Sequence, residues 1–227
     1  MKNNKQIILF LTFMLLIILS LTVYHTVKAN QEDSLLFVYL DPGHGGFDGG
    51  ATSIDKSICE KDINLKVCFY LKNYLEKTNI VVKMTRNKDV ALSKSKKEDI
   101  HKRVELINKS NCDIYLTIHA NAYPSSSVRG FQTFYSSNKQ QNEYLAKTIQ
   151  TSLQMLDKEN KRLPKVITGK YVLDNTTKIG CLVEIGFLTN EIDLQKLTDD
   201  TYLEKMAFQI YLGILNYIEE SRQIWMN

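Results

Sequence analysis

Apolar residues recur along the chain at two spacings, which predict strands and helices in alternation. Apolar and β-branched runs typical of buried strands lie at Ser34–Leu40, Ile80–Met84, Cys112–Ile118, Phe131–Tyr135 and Gly180–Val183. Apolar residues at helical steps lie in Lys61–Lys77, Ile100–Ile107, Leu145–Leu156 and Tyr202–Glu219, the last with a small break at Gly213. This alternation predicts a single α/β domain in which helices cover both faces of a mostly parallel central sheet.

The first thirty residues follow a different pattern and are predicted to lie outside this domain. Lys2 and Lys5 precede an apolar run from Ile7 to Tyr24. The run of roughly 18 residues exceeds a typical signal-peptide core and approaches the ~20 residues that span a bilayer. We therefore predict an uncleaved signal anchor over residues 1–30, with a signal peptide cleaved near Ala29 as the alternative. The domain over residues 31–227 is expected to be extracytoplasmic and to meet the membrane only through this segment.

Composition narrows the class of protein. The 227 residues fit one domain and leave no room for a second binding module. The charged fraction of 24% and the hydrophobic fraction of 44% are those of an ordinary globular protein. Basic and acidic residues are interleaved and the net charge is only +4, so we expect no nucleic-acid partner. No CxxC pair is present, and the cysteines are predicted to be reduced and mostly buried: Cys59, Cys68, Cys112 and Cys181.

Three side chains with metal-binding or catalytic chemistry follow apolar strand runs. His44 lies in the loop after the first strand, and His119 and Glu184 come directly after two later ones. Because ligands of α/β folds bind beyond the carboxyl ends of the strands, we expect these side chains to converge. Two histidines and a glutamate are a donor set of catalytic zinc sites. Each histidine alone is equally compatible with a structural role, in a tight turn or at a strand end, but their coincidence with a buried glutamate favours a site.

Neighbouring residues refine this hypothesis. Asp41 is expected to orient a ligand histidine. Glu184 interrupts an apolar run, where a carboxylate is costly to bury unless it is paired, protonated or bound to metal. His101 lies on the polar side of a helical pattern and is expected to be solvated. Glu60 precedes a helix, where an acidic residue usually serves the helix dipole, so its spacing alone gives weak support for a ligand role.

Several motifs from about Val38 to the end of the chain occur in the order of one enzyme family. They are DPGHGGFDGGA (Asp41–Ala51), Glu60, MTR with Asp89, the pair Arg103 and Asn108, DIYLTIHANA (Asp113–Ala122) and LVEIGFLTN (Leu182–Asn190). These motifs resemble those of the zinc-dependent N-acetylmuramoyl-L-alanine amidases. The resemblance implies Zn²⁺ held by His44, Glu60 and His119, with Glu184 as catalytic acid/base. The implied reaction is hydrolysis of the amide between the lactyl group of muramic acid and L-alanine in peptidoglycan. The compact chain looks most like the CwlD-type branch, which acts on spore cortex and prepares muramic-δ-lactam.

Alternatives to this function stay open from the sequence. A zinc peptidase would cut within the stem peptide, and a catalytically silent wall-binding protein would use the same fold without chemistry. Glycosidase chemistry would leave the histidines without a task. Cysteine catalysis is disfavoured because Cys112 lies at the far end of the strand from His119. Cys181 is a poor candidate for a zinc ligand, because it is expected on the face of its strand opposite Glu184. A three-residue zinc site on an exposed domain binds metal weakly, so we also expect an accessory protein that stabilises it.

Overall fold

The computed structural model describes residues 10–23 and 36–226, with the backbone alone for 222–226. Residues 10–23 form helix α1, and the residues from Leu36 onward form a separate unit. Within the described ranges, no helix is both long and apolar enough to cross a membrane. The signal anchor or signal peptide predicted over residues 1–30 lies partly outside these ranges and stays a prediction.

The unit from Leu36 onward alternates strands and helices around one sheet. Its strands are β1 (Phe37–Pro42), β2 (Val81–Met84), β3 (Ile114–Asn121), β4 (Gln132–Tyr135), β5 (Lys165–Val166) and β6 (Ile179–Phe187). Its helices are α2 (Glu60–Glu76), α3 (Lys96–Lys109), α4 (Gln140–Leu153), α5 (Tyr171–Asn175), α6 (Glu191–Leu197) and α7 (Asp200–Met226). The strand order is β2-β1-β3-β6-β4-β5, and β4 with β6 is the antiparallel pair. The mostly parallel α/β sheet predicted from the sequence is confirmed.

Helices cover both faces of this sheet. Successive residues of a strand point to opposite faces, so each strand contributes side chains to both layers. On one face, Leu116 and Val183 belong to a large apolar cluster that packs under α2, α4 and α7. On the other face, Tyr115 and Leu182 belong to a smaller cluster with residues of α3 and α5. The two faces therefore differ in size and in the helices that close them.

The cysteines agree with their predicted state. All four are free thiols, three of them buried. Cys181 packs in the large apolar cluster, which places it on the face of β6 opposite the one that carries Glu184. Burial raises the pKa of the Cys181 thiol, so this group is an inert part of the core.

Strands β3 and β6 extend beyond the apolar runs that predicted them. β3 continues to Asn121 and β6 to Phe187, so His119 and Glu184 lie within their strands and not after them. The two residues are direct partners in the β3–β6 register, just before a register shift between His119 and Asn121. The prediction was wrong here because a polar side chain ends an apolar run without ending backbone hydrogen bonding.

Helix α7 also differs from its prediction, since it runs unbroken through Gly213. A Cβ at this position would lie 2.6 Å from the Cα of Ile149 in α4. The glycine therefore permits close packing of α7 on α4 and does not break the helix. The two short helices α5 and α6 and the two-residue strand β5 were not predicted, because each is too short to show a periodic pattern.

Candidate metal centre and active site

The loop that follows β1 is held by two buried arginines. Arg103 donates to the carbonyls of Pro42 and His44 at 2.7 and 2.6 Å. Arg86 donates to the carbonyls of Pro42 and Gly43, both at 3.0 Å. His44 has a φ of 62°, a left-handed conformation that is uncommon outside glycine. The hydrogen bonds from the two guanidinium groups hold the loop in this conformation, although a positive φ at a residue other than glycine costs free energy.

Asp41 supports this loop through its contact with Arg103. Its carboxylate is 1% exposed and accepts hydrogen bonds from Arg103 at 2.7 Å, Thr85 at 2.6 Å and Thr117 at 2.8 Å. Burial raises the pKa of Asp41, but the Arg103 guanidinium and the two hydroxyls outweigh it and leave the pKa below its usual value. The prediction that Asp41 orients a ligand histidine is wrong, because the carboxylate is committed to Arg103 and the threonines.

Asp48 is the carboxylate that contacts His44. Its Oδ2 lies 2.7 Å from Nδ1 of His44, and because a carboxylate only accepts, Nδ1 carries a proton and Nε2 faces the site. Gly45 and Asp48 exchange backbone hydrogen bonds of 2.9 and 3.1 Å, which fold the loop back on itself. The sequence analysis missed Asp48. The signal was present, since glycines between His44 and Asp48 allow a turn that brings them together.

Glu60, the first residue of α2, directs one carboxylate oxygen at each histidine. Its Oε2 lies 3.3 Å from Nε2 of His44, and its Oε1 lies 2.7 Å from Nδ1 of His119. The side chain is buried, and the backbone N–H groups of Ala51 and Ala120 donate to it at 2.7 and 3.1 Å. Burial raises the pKa of Glu60, but the hydrogen bonds from His119 and His44 outweigh burial and hold the pKa well below its usual range. The structure thus brings Glu60 to both predicted histidines.

His44, Glu60 and His119 form the one group of potential metal ligands found among the described residues. Their ligand atoms all lie within 4.8 Å of one another, and the two imidazole rings meet edge to face with centroids 5.0 Å apart. The His119 ring packs directly on Gly43, where a Cβ would lie 2.3 Å from it. Two imidazole nitrogens and one carboxylate, with space beyond them, fit the donor set of a catalytic zinc site.

Glu184 shares a cavity of about 350 Å³ with this group. It is 8% exposed, and its Oε2 has no hydrogen-bond partner in the described chain. Burial raises the pKa of Glu184, and the neighbouring Glu60 charge acts in the same direction. The cavity is also lined by residues of α5 and the preceding loop, which include Lys170 and Tyr171. His101 is exposed, as expected, and stacks on Tyr171 with ring centroids 4.4 Å apart.

Comparison with known proteins decides the family. Residues 38–216 match the N-acetylmuramoyl-L-alanine amidase family model. The chain belongs to this family. The amidase chain is 42% identical over 191 residues to the germination-specific N-acetylmuramoyl-L-alanine amidase of Bacillus subtilis (strain 168), covering 81% of this chain and 80% of the relative.

Two solved amidases share the fold. One is the CwlD amidase from Clostridioides difficile in complex with the GerS lipoprotein, with 39% identity, a TM-score of 0.79, and coverage of 81% of this chain and 98% of that one. The other is the N-acetylmuramoyl-L-alanine amidase from Clostridium difficile 630, with 30% identity, a TM-score of 0.75, and coverage of 82% and 98%. The family resemblance seen in the motifs is therefore confirmed.

Proposed function

We propose that this amidase uses zinc to hydrolyse the amide between the lactyl group of muramic acid and L-alanine in peptidoglycan. The observation that carries the proposal is the pairing of two groups in one cavity. His44, the buried Glu60 and His119 supply a zinc donor set, and a buried glutamate with a free oxygen lies on the neighbouring strand. A binding protein without chemistry would have no need for this costly unpaired carboxylate.

Each residue has a defined part in this proposal. Nε2 of His44, Nδ1 of His119 and the carboxylate of Glu60 hold Zn²⁺, because these are the atoms that face one another. Bound zinc supplies a Lewis acid for the amide carbonyl and a water of lowered pKa. Glu184 accepts the proton of the attacking water at its free Oε2 and delivers it to the departing L-alanine nitrogen. A carboxyl whose pKa is raised by burial is suited to both transfers.

The relatives support a narrower biological role. The germination-specific amidase of Bacillus subtilis matches four fifths of each chain, and we propose that this chain likewise acts on spore cortex, in the formation of muramic-δ-lactam. Action on peptidoglycan places the domain outside the cytoplasm. Anchoring by the N-terminal segment remains part of the proposal.

The CwlD amidase structure contains a lipoprotein, which supports our expectation of an accessory protein that stabilises the zinc site. Zinc affinity measured with and without the co-expressed candidate tests this expectation. A tighter zinc dissociation constant in the complex is expected, and an unchanged constant would contradict it.

The function is tested by mass spectrometry of peptidoglycan incubated with the zinc-loaded chain. An amidase releases whole stem peptides with a free L-alanine amino group and leaves muramic acid without peptide. Cleavage within the stem would identify a peptidase, and unchanged peptidoglycan would identify a binding protein. Zinc content gives an independent reading: His119→Ala is expected to lose the metal, whereas the exposed control His101→Ala retains it.

A further inference from the structure

Residues 170–173 form one wall of the cavity, and this wall carries a cation without an ion-pair partner among the described residues. Lys170 is the one lysine or arginine among the residues that line the cavity. It is exposed and forms no ion pair with any carboxylate of the described chain. By contrast, Lys61 and Lys96, which lie near the loop that follows β1, are paired with Asp89 and Asp48 at 2.6 and 2.7 Å. A positive charge at Lys170 is thus left free beside the site.

The backbone that carries Lys170 is fixed. The carbonyl of Lys170 accepts from the N–H of Asp174 at 2.9 Å, and the Asp174 carboxylate accepts from the N–H of Gly169 at 2.7 Å. The adjacent Tyr171 ring stacks on His101 of α3 with an interplanar angle of 20°. These contacts hold the start of α5 against α3 and define where the lysine side chain begins.

Asn108 holds the other end of the same wall. Its amide donates to the carbonyl of Asn175 at 3.0 Å and accepts from the N–H of Thr177 at 2.8 Å. This contact gives a structural reason for an asparagine in the motif pair with Arg103. Both ends of the α5 segment are therefore tied to α3, and Lys170 projects from a built wall of the cavity.

The chemistry of the proposed substrate identifies the group that such a cation binds. The glycan next to the cleaved amide carries hydroxyl and acetamido groups and no charge, whereas the stem peptide carries free carboxylates. An ammonium beside the cleft distinguishes these two sides by charge. We propose that Lys170 is a subsite for a carboxylate of the stem peptide, an inference that rests on the proposed amidase function.

The position of Lys170 agrees with this subsite. Lys170 and Glu184 both line the same cavity of about 350 Å³. A peptide whose amide lies at Glu184 therefore passes close to the ammonium. Binding energy made there belongs to the remote part of the substrate and is present before and during the reaction, so it lowers KM more than it raises kcat.

The test compares two muramoyl peptides that differ only in one group, a free carboxylate or its carboxamide, on the full-length zinc-loaded chain. Lys170→Met is expected to raise KM for the carboxylate peptide by roughly three- to tenfold and to leave kcat nearly unchanged. KM for the carboxamide peptide should not change. Lys170→Arg should retain the preference, and Lys165→Met, an exposed lysine of β5 outside the cavity lining, should behave as the parent chain.

Other outcomes distinguish a failure of the proposed subsite from a failure of the proposed function. An equal change for both peptides would mean that Lys170 only shapes the wall, and no change for either would remove the subsite. Dissociation constants of the same two peptides, measured with Glu184→Gln alone and with Lys170→Met added, repeat the comparison without turnover. If the parent chain cleaves neither peptide, the proposed function fails, and these constants still decide whether Lys170 binds the carboxylate.

Discussion

The two faces of the central sheet are built from the same strands but bury different chemistry. The face under α2, α4 and α7 is filled by a large apolar cluster, whereas the face toward α3 and α5 combines a small apolar cluster with Asp41, Arg103 and Glu184. Burying apolar surface stabilises the fold by roughly 25 cal/mol per Å². Burying a charge costs free energy unless it is paired. The first face therefore provides the stability that the second needs to hold a site.

The second face itself contains two kinds of buried charge. Arg103 is paired with Asp41 and Asp99, at 2.7 and 2.6 Å, and the same guanidinium donates to the carbonyls of Pro42 and His44. Glu184 has an oxygen without any partner, one of two such buried side-chain atoms in the described residues. The structure thus pairs the charges that position the site and leaves unpaired the one assigned to proton transfer.

The largest effect is expected from Glu184→Gln. Without a group that moves protons, kcat should fall by about 10³- to 10⁴-fold, or about 4–5.5 kcal/mol in the barrier, while zinc stays bound. Turnover of a muramoyl peptide and zinc content are measured on the same sample. Glu191→Gln, an exposed acid at the start of α6, serves as the control. Turnover within about tenfold of the parent chain at full zinc occupancy would contradict the role.

Breaking the paired charge should destabilise the fold. Arg103→Met leaves the Asp41 carboxylate buried without its cation, and the free energy of unfolding in urea should fall by about 3–5 kcal/mol. Lys102→Met, which removes an exposed partner of Glu105 on the same helix, should have little effect. Equal stability of the two variants would show that the buried pair does not support the fold.

A smaller effect is expected at the candidate metal centre. Asp48→Asn removes the carboxylate that fixes the Nδ1–H tautomer of His44, so zinc affinity should fall by roughly 10- to 100-fold. A competing chelator measures this affinity. Asp62→Asn in the first turn of α2, with an exposed side chain, should leave the affinity unchanged. Equal affinities for the Asp48 variant and the parent chain would mean that the loop backbone alone positions His44.

The first face can be tested without touching the site. Alanine favours helix over glycine by about 1 kcal/mol, yet Gly213→Ala places a Cβ against the backbone of Ile149. We expect a net loss of about 1–2 kcal/mol in thermal unfolding, with zinc affinity unchanged. A more stable variant would show that α4 and α7 can separate at no cost.

The smallest effect concerns pH and the metal-free chain. Because burial raises the pKa of Glu184 in the folded state, ionising this carboxyl disfavours folding. The penalty is absent below the unfolded pKa near 4.5, grows as pH rises toward the folded pKa, and is constant above it. Glu184→Gln should therefore gain stability over the parent chain as pH rises. A difference that does not depend on pH would contradict a raised pKa.

The fold was predictable because apolar residues recur with a clear period along its long strands and helices. Alternating apolar runs identified five of the strands and four helices, and their order implied the parallel sheet. The two short helices and β5 were missed, since five or seven residues contain too little periodicity. Gly213 was misread because its reason is a neighbouring helix, which a local pattern does not contain.

The site was predictable only in part. His44, His119 and Glu184 stood out because each follows an apolar run, where a polar side chain is conspicuous. Glu60 required the family resemblance, since its contact with both histidines depends on how α2 docks over the sheet. Asp41 and Asp48 were confused because both lie near His44 in sequence, and only the turn from Gly45 to Asp48 decides which carboxylate reaches the ring.

The direct pairing of His119 with Glu184 across β3 and β6 has a consequence for how such enzymes diversify. After β3 the chain makes an excursion through β4, α4, β5 and α5, whose two strands belong to the same sheet, and returns to place β6 beside β3. The separation of the two side chains is therefore set by the spacing between adjacent strands, and not by the length of that excursion. Insertions and deletions in the excursion can remodel the cavity wall while the distance between His119 and Glu184 stays constant. The reaction and the choice of substrate can thus evolve on separate parts of one chain.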